Sequence, residues 1–257
     1  MARVLALVTN DDGIDAHGLR MLAEVTIEAG LDVLIAAPHR EYSGQGAALS
    51  ALEEGGRLIH RERDWDGPRG AGSIRMLSVE ASPAMIAMIA SRGGLGTVPD
   101  VVLSGINHGP NTGHLVLHSG TVNAVLTGAY HGISGLAVSM NAMKPEHWPT
   151  AQVATRPVLG WLLGRAAGRP VVSLSLNAPD IPGSELRGIR QARLSDFGAV
   201  QAEIREVGAS HTTLTFRRET PEPEPGTDHA ALRDGYASLA ALRGPSEVAM
   251  DFGALVS

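Results

Sequence analysis

Residues 4–19 read VLALVTNDDGIDAHGL, a short apolar run that stops abruptly at Asn10, Asp11, Asp12 and Gly13. Five or six apolar residues are too few to span a membrane but suit a β-strand buried on both faces. The two adjacent carboxylates then fall at that strand's C-terminal end, where open α/β sheets place their ligand crevice. Like charges side by side in a crevice repel, and a hard divalent cation such as Mg²⁺, Mn²⁺ or Ca²⁺ offsets that repulsion best through carboxylate oxygen. The same run also reads as a solvated Asn-Asp-Asp-Gly turn, and the stretch by itself leaves both readings open.

Outward from this run, strands and helices alternate. Leu19, Leu22, Ala23 and Ile27 recur at helical spacing and Gly30 can close the helix. Residues 33–37 form the next apolar run, ended by Pro38, and deliver the loop from His39 to Gly44 to the same sheet edge as the Asp pair. Residues 50–75 show no long period and read as irregular strands and loops. Ser82-Pro83 caps and starts a buried helix in which Met85 and Met88 are core filler.

A third buried strand, Val101 to Leu103, leads into Ser104-Gly105-Ile106-Asn107-His108-Gly109-Pro110-Asn111-Thr112-Gly113. Glycine lets backbone N–H groups approach an anion, and asparagine offers an amide oxygen to a metal. His118-Ser119-Gly120-Thr121 opens a helix with apolar positions Val122, Val125, Leu126 and Ala129. Its N-terminus is a phosphate seat, or else Ser119 and Thr121 serve only as caps. Strands follow at 135–140 and 170–176, separated by a helix near 150–167 that is kinked or restarted at Pro157. Beyond Pro182 the chain is poor in core residues. It carries a strand-like piece at 212–216 and the Pro-rich stretch 220–226, and so either packs on something else, such as a second subunit, or forms a surface hairpin and a partly ordered tail.

The 257 residues suffice for one large domain, alone or with an appendage. A hydrophobic share of 44% and a net charge of −6 place the chain among soluble globular proteins and against a nucleic-acid-binding surface. The absence of cysteine excludes disulfides, thiolate metal sites and a Cys nucleophile. No signal-peptide pattern, internal repeat or long apolar run is present, so the expected location is cytoplasmic, with no membrane partner.

Asn10-Asp11-Asp12-Gly13-Ile14, then Ala37-Pro38 with Ser43-Gly44, then Ser104-Gly105-Ile106-Asn107 with Gly109, Asn111 and Gly113, then Ser119-Gly120-Thr121-Val122 resemble the signature blocks of the SurE family, in order and spacing. Weaker similarity continues through Asn177-Ala178-Pro179-Asp180, Arg187-Gly188-Ile189 and Thr227-Asp228 to Gly235-Tyr236. The resemblance implies an α/β fold with a Rossmann-like, mostly parallel sheet and helices on both faces. It assigns residues 1–180 to a phosphatase domain and 181–257 to a β-rich or extended C-terminal appendage that exchanges between subunits of a homodimer or dimer of dimers. It further implies metal-dependent hydrolysis of a nucleotide or another small phosphomonoester by an activated water. One Mg²⁺ or Mn²⁺ would be held by Asp11, Asp12, Ser43 and Asn107, with Asp11, Asp12 and Asn107 catalytic. Asn10, Gly44, Ser104, Gly105, Asn111, Ser119, Gly120 and Thr121 would bind the phosphoryl group.

Departures from the family pattern sit around this shell. His17 stands where proline is usual, His39 and Glu41 where an acid and an asparagine are common, and His118 where tyrosine is usual. Residues 81–86 lack that family block's glycine, threonine and acid. The expectation is therefore the same reaction on a different or narrower substrate. Among the rim histidines, His39 and His108 are the candidates for a leaving-group acid or a substrate contact. The non-enzymatic alternative is a family member that binds a phosphorylated small molecule in a regulatory role. A receiver domain, a haloacid-dehalogenase-like phosphatase and a dinucleotide-dependent oxidoreductase are disfavoured because their own strand-end signatures are absent.

Overall fold

The computed structural model describes residues 3–50, 56–165, 169–196, 201–217 and 222–246. The expected elements appear in order. The first strand, β1 (Leu5–Thr9), leads into helix α1 (His17–Glu28), after which Gly30 turns the chain with φ +81°. Strand β2 (Asp32–Pro38) follows. The 50–75 region then resolves into a short β3 (His60–Arg63) and the start of β4 (Ile74–Val79), which sequence reading left undivided. Helix α2 (Pro83–Ala90) is capped by Ser82 as expected. Strand β5 (Val101–Asn107) precedes α3 (Gly120–Tyr130), β6 (Gly135–Met140), α4 (Trp148–Leu163) and β7 (Ser173–Ala178). Of the kink or restart expected at Pro157, the restart does not occur. The helix runs through it, and Val153, whose carbonyl loses its usual donor, is on the solvent side.

Past residue 180 come β8 (Ile189–Gln191), β9 (Gln201–Val207), β10 (Thr212–Arg217), α5 (Asp228–Arg233) and β11 (Ala237–Leu242). The large sheet has the order β3-β4-β2-β1-β5-β6-β7-β11-β8. From β4 to β7 all neighbours are parallel, while β3 and β11 run antiparallel to β4 and β7. The expected division at residue 180 therefore needs correction. β11 and β8 extend the main sheet, because β11 offers β7 an apolar strand, and only the β9–β10 hairpin forms a sheet of its own. The Pro-rich stretch 220–226, expected to belong to an exchanged arm, is described only from Glu222, and the last part of the expected appendage, 247–257, lies outside the described residues.

Two cores sandwich the sheet, in keeping with helices on both faces. α1 and α4 bury Leu19, Leu22, Leu159 and Leu162 on one side. α2 and α3 bury Met85, Ile86, Val122 and Val125 on the other. Each such side chain taken from water is worth about 1.5–3 kcal/mol. Because β1 has β2 on one side and β5 on the other, the β1/β5 boundary is where the chain order reverses. Ligands of doubly wound folds bind at such a switch point.

Candidate active site at the β1/β5 switch point

Asn10 shapes the first loop. Its amide nitrogen donates to the Gly13 carbonyl at 3.0 Å and its amide oxygen accepts from Gly13 N–H at 3.2 Å. Gly13 turns there with φ +101°, left-handed backbone that only glycine adopts without strain. Asn10, expected to bind phosphate, gives one amide hydrogen and one oxygen lone pair to this turn.

The turn leaves Asp11 and Asp12 nearly enclosed. Asp11 is 3% exposed and accepts a hydrogen bond from the Thr121 hydroxyl. Behind it stands the N-terminus of α3, so close that a Cβ on Gly120 would lie 2.7 Å from Asp11 Cβ. Burial pushes the Asp11 carboxyl above the usual carboxylate range, and the Thr121 hydroxyl and the N–H groups of Asp11, Thr121 and Gly120 oppose the rise. Asp12 is pushed up to about 6 by burial first and the neighbouring Asp11 charge second, while His108 pulls it down. Asp12 Oδ1 has no hydrogen-bond partner, and His108 Nε2 stands 3.6 Å from it, beyond hydrogen-bond length. Among the described residues, neither acid pairs with a lysine or arginine.

Neighbouring loops close on this pair. The Tyr42 N–H donates to the Asp11 carbonyl at 2.7 Å, which sets Ser43 and Gly44 beside the first loop, and Gly46 N–H reaches the His118 carbonyl at 3.0 Å. Strand β5 brings Asn107 to the same edge through an irregularity. Its register with β6 shifts between Ser104 and Asn107, and Gly105 has φ +125° with Val138 O 2.2 Å from where a Cβ would sit. Asn107 is thus the last residue of a strand rather than part of a loop. Its amide nitrogen donates to the carbonyls of His108 and Gly109, which leaves its amide oxygen as the group for a cation.

The residues expected to bind phosphate separate. Ser119 caps α3 by accepting from Val122 N–H at 3.1 Å, Thr121 is committed to Asp11, and Gly44 lies exposed with open space around it. Asn111 is bonded to Ser139 and, through its backbone, to both ends of the Asn177 amide. Ser104 is buried with an unpartnered hydroxyl, directly across the β1/β5 register from Thr9, whose hydroxyl is also unpartnered. His39 lies exposed and packs edge-on against Tyr42 at 6.2 Å, whereas His108 faces the acids.

Sequence reading missed two supports of this edge. Asp228, buried at the start of α5, accepts from the N–H groups of Gly113, Ser195 and His229 and so ties the C-terminal segment to the β5 loop. Glu41 accepts from the Ser43 hydroxyl. Thr227 directly before Asp228 is a legible cap signature, but nothing in the sequence connects it to Gly113.

A family model described as "Survival protein SurE" matches residues 6–199. The chain belongs to the SurE family. A protein named 5'-nucleotidase SurE from Chloroflexus aggregans is 37% identical over 241 residues, covering 91% of this chain and 90% of the relative. A 5'/3'-nucleotidase SurE from Proteus mirabilis is 34% identical over 239 residues, covering 92% and 88%. The crystal structure of the SurE protein from Aquifex aeolicus superposes with a TM-score of 0.77 over 93% of each chain, at 26% identity. The α/β fold expected from the signature blocks is therefore the observed one.

The donors fit a hard cation. Asp12 Oδ1 is buried and unpartnered, Asp11 is buried beside it, and a cation there would draw its further oxygens from the Ser43 hydroxyl and the Asn107 amide. Among the described residues no group of three His, Cys, Asp or Glu side chains is placed to hold a metal, so such a centre depends on these two neutral oxygens.

Proposed function

We propose that the chain is a divalent-metal-dependent phosphomonoesterase of the SurE type, acting on a nucleoside monophosphate or another small phosphomonoester, with Mg²⁺ or Mn²⁺ at Asp11, Asp12, Ser43 and Asn107. The observation that carries the reading is a buried acid, Asp11, beside a half-buried one, Asp12, whose Oδ1 is orphaned, set at a switch point with no lysine or arginine paired to either among the described residues. Relatives named 5'-nucleotidase and 5'/3'-nucleotidase support the reaction class.

When bound, the cation supplies Lewis-acid polarisation of a phosphoryl oxygen and lowers the pKa of a water. The residues do the rest. Asp11, clamped by Thr121, and Asp12 hold the charge and orient the attacking water. The water oxygen bonds to phosphorus as the P–O ester bond breaks, and the leaving alkoxide takes up a proton as phosphate departs. The Ser119 hydroxyl and the donors at the start of α3 lie on the side where an incoming anion is favoured. His108 is the histidine that a substrate at Asp12 would meet.

Phosphate release from a panel of p-nitrophenyl phosphate, nucleoside monophosphates and sugar phosphates should require Mg²⁺ or Mn²⁺ and stop with EDTA. Binding of such ligands with no release from any of them would favour the regulatory binding protein instead. No helix among the described residues is long and apolar enough to cross a membrane. Assembly through the C-terminal segment belongs to the same proposal. Sedimentation equilibrium should give a multiple of the 26.8 kDa chain mass, and a monomer at micromolar concentration would remove that part.

A further inference from the structure

We propose that Glu41 is a positioning residue for the metal centre, holding the Ser43 hydroxyl so that its lone pairs rather than its proton face the cation. The inference rests on the metal site proposed above and adds a residue outside that ligand set.

Ser43 Oγ donates to Glu41 Oε1 at 2.7 Å, a charge-assisted bond. A serine hydroxyl has one proton and two acceptor lone pairs. With the proton engaged by a carboxylate, both lone pairs remain for a cation, and the oxygen becomes the more basic for it. Carboxylates that orient a ligand through its other hydrogen-bonding position work in this way at metal centres. A free hydroxyl would instead have to give up its rotation when the metal arrives.

Glu41 and Ser43 are themselves exposed, but the residue between them is not. Tyr42 is 6% exposed, its N–H is bonded to the Asp11 carbonyl at 2.7 Å, and its carbonyl accepts from Gln45 N–H. This anchor fixes the backbone from which both side chains project. Arg40 directly precedes Glu41 in sequence, yet among the described residues Glu41 forms no ion pair with it and takes the Ser43 hydroxyl instead.

The test is calorimetric titration of Mn²⁺ into protein stripped with EDTA and desalted, comparing wild type, Glu41→Ala, Ser43→Ala and the double variant. Glu41→Ala should weaken Mn²⁺ binding about 10- to 100-fold, the usual effect of losing a group that orients a ligand. Because Glu41 acts through Ser43, the double variant should bind no more weakly than Ser43→Ala alone. An affinity for Glu41→Ala within twofold of wild type would overturn the proposal. So would a double variant whose loss is the product of the single losses, since Glu41 would then act independently of Ser43. Failure of the wild type to bind Mn²⁺ would sink the underlying metal site instead, a result distinct from either.

Discussion

Asp11→Asn lowers kcat/KM for any accepted phosphomonoester by on the order of a thousandfold or more, the loss expected when a charged group central to the transition state becomes neutral. The substitution is nearly isosteric. Its amide oxygen can still accept from the Thr121 hydroxyl, so the clamp from α3 is retained in part. What disappears is the charge, in a place where burial already works against it and where the N-terminus of α3 and the Thr121 hydroxyl are spent on keeping it. Removing a charge whose burial is unfavourable does not harm the fold. Circular dichroism and the thermal midpoint should therefore match or exceed wild type while turnover collapses. Initial rates at saturating Mn²⁺, measured beside the melting curve, check both halves. Undiminished turnover would remove Asp11 from the chemistry.

The second large effect is on stability. Asp12→Asn should raise Tm in EDTA by at least about 3 °C, roughly 1 kcal/mol for a chain of this size, and should abolish the further rise that Mn²⁺ gives wild type. The reason is linkage. Folding raises the Asp12 pKa from 3.8 to about 6, so the native state holds its proton more tightly than the unfolded chain does. The stability this contributes is fully present below about pH 4 and is lost as pH rises through about 6. The gap between variant and wild type should accordingly widen between those limits, and differential scanning calorimetry at pH 4, 5, 6 and 7 reads it directly. A variant less stable than wild type at pH 7 without metal would mean that Asp12 is a structural acid. A functional site that costs stability is the expected trade where two acids are held for a ligand.

Most of the fold was legible because its strands are continuous apolar runs that stop at glycine, proline or acid. The runs around Val8, Ile35, Leu103 and Val138 all became central strands. What escaped was non-local. β4 is only half-buried over its first residues, so its run is broken by Arg75. β8 is short, and the place of β11 and β8 in the main sheet depends on β11 pairing with the distant β7 and then carrying β8 beside it, rather than on their own pattern. The proposed metal donors are readable from residue type and from resemblance, whereas the hydrogen-bond partner of each polar group is not. Asn10, Ser119 and Thr121 look interchangeable as small polar residues near glycine. Geometry commits one to a turn, one to a cap and one to a carboxylate. A side chain's hydrogen-bond partner is fixed by packing, and packing is not written in local sequence.

A single cation caged at the end of β1 should show in anomalous diffraction from crystals soaked in Mn²⁺ as one strong peak per chain, with oxygen atoms of Asp11, Asp12, Ser43 and Asn107 at about 2.1–2.2 Å from it. A peak elsewhere, or those four side chains ordered around no ion at saturating Mn²⁺, would contradict it.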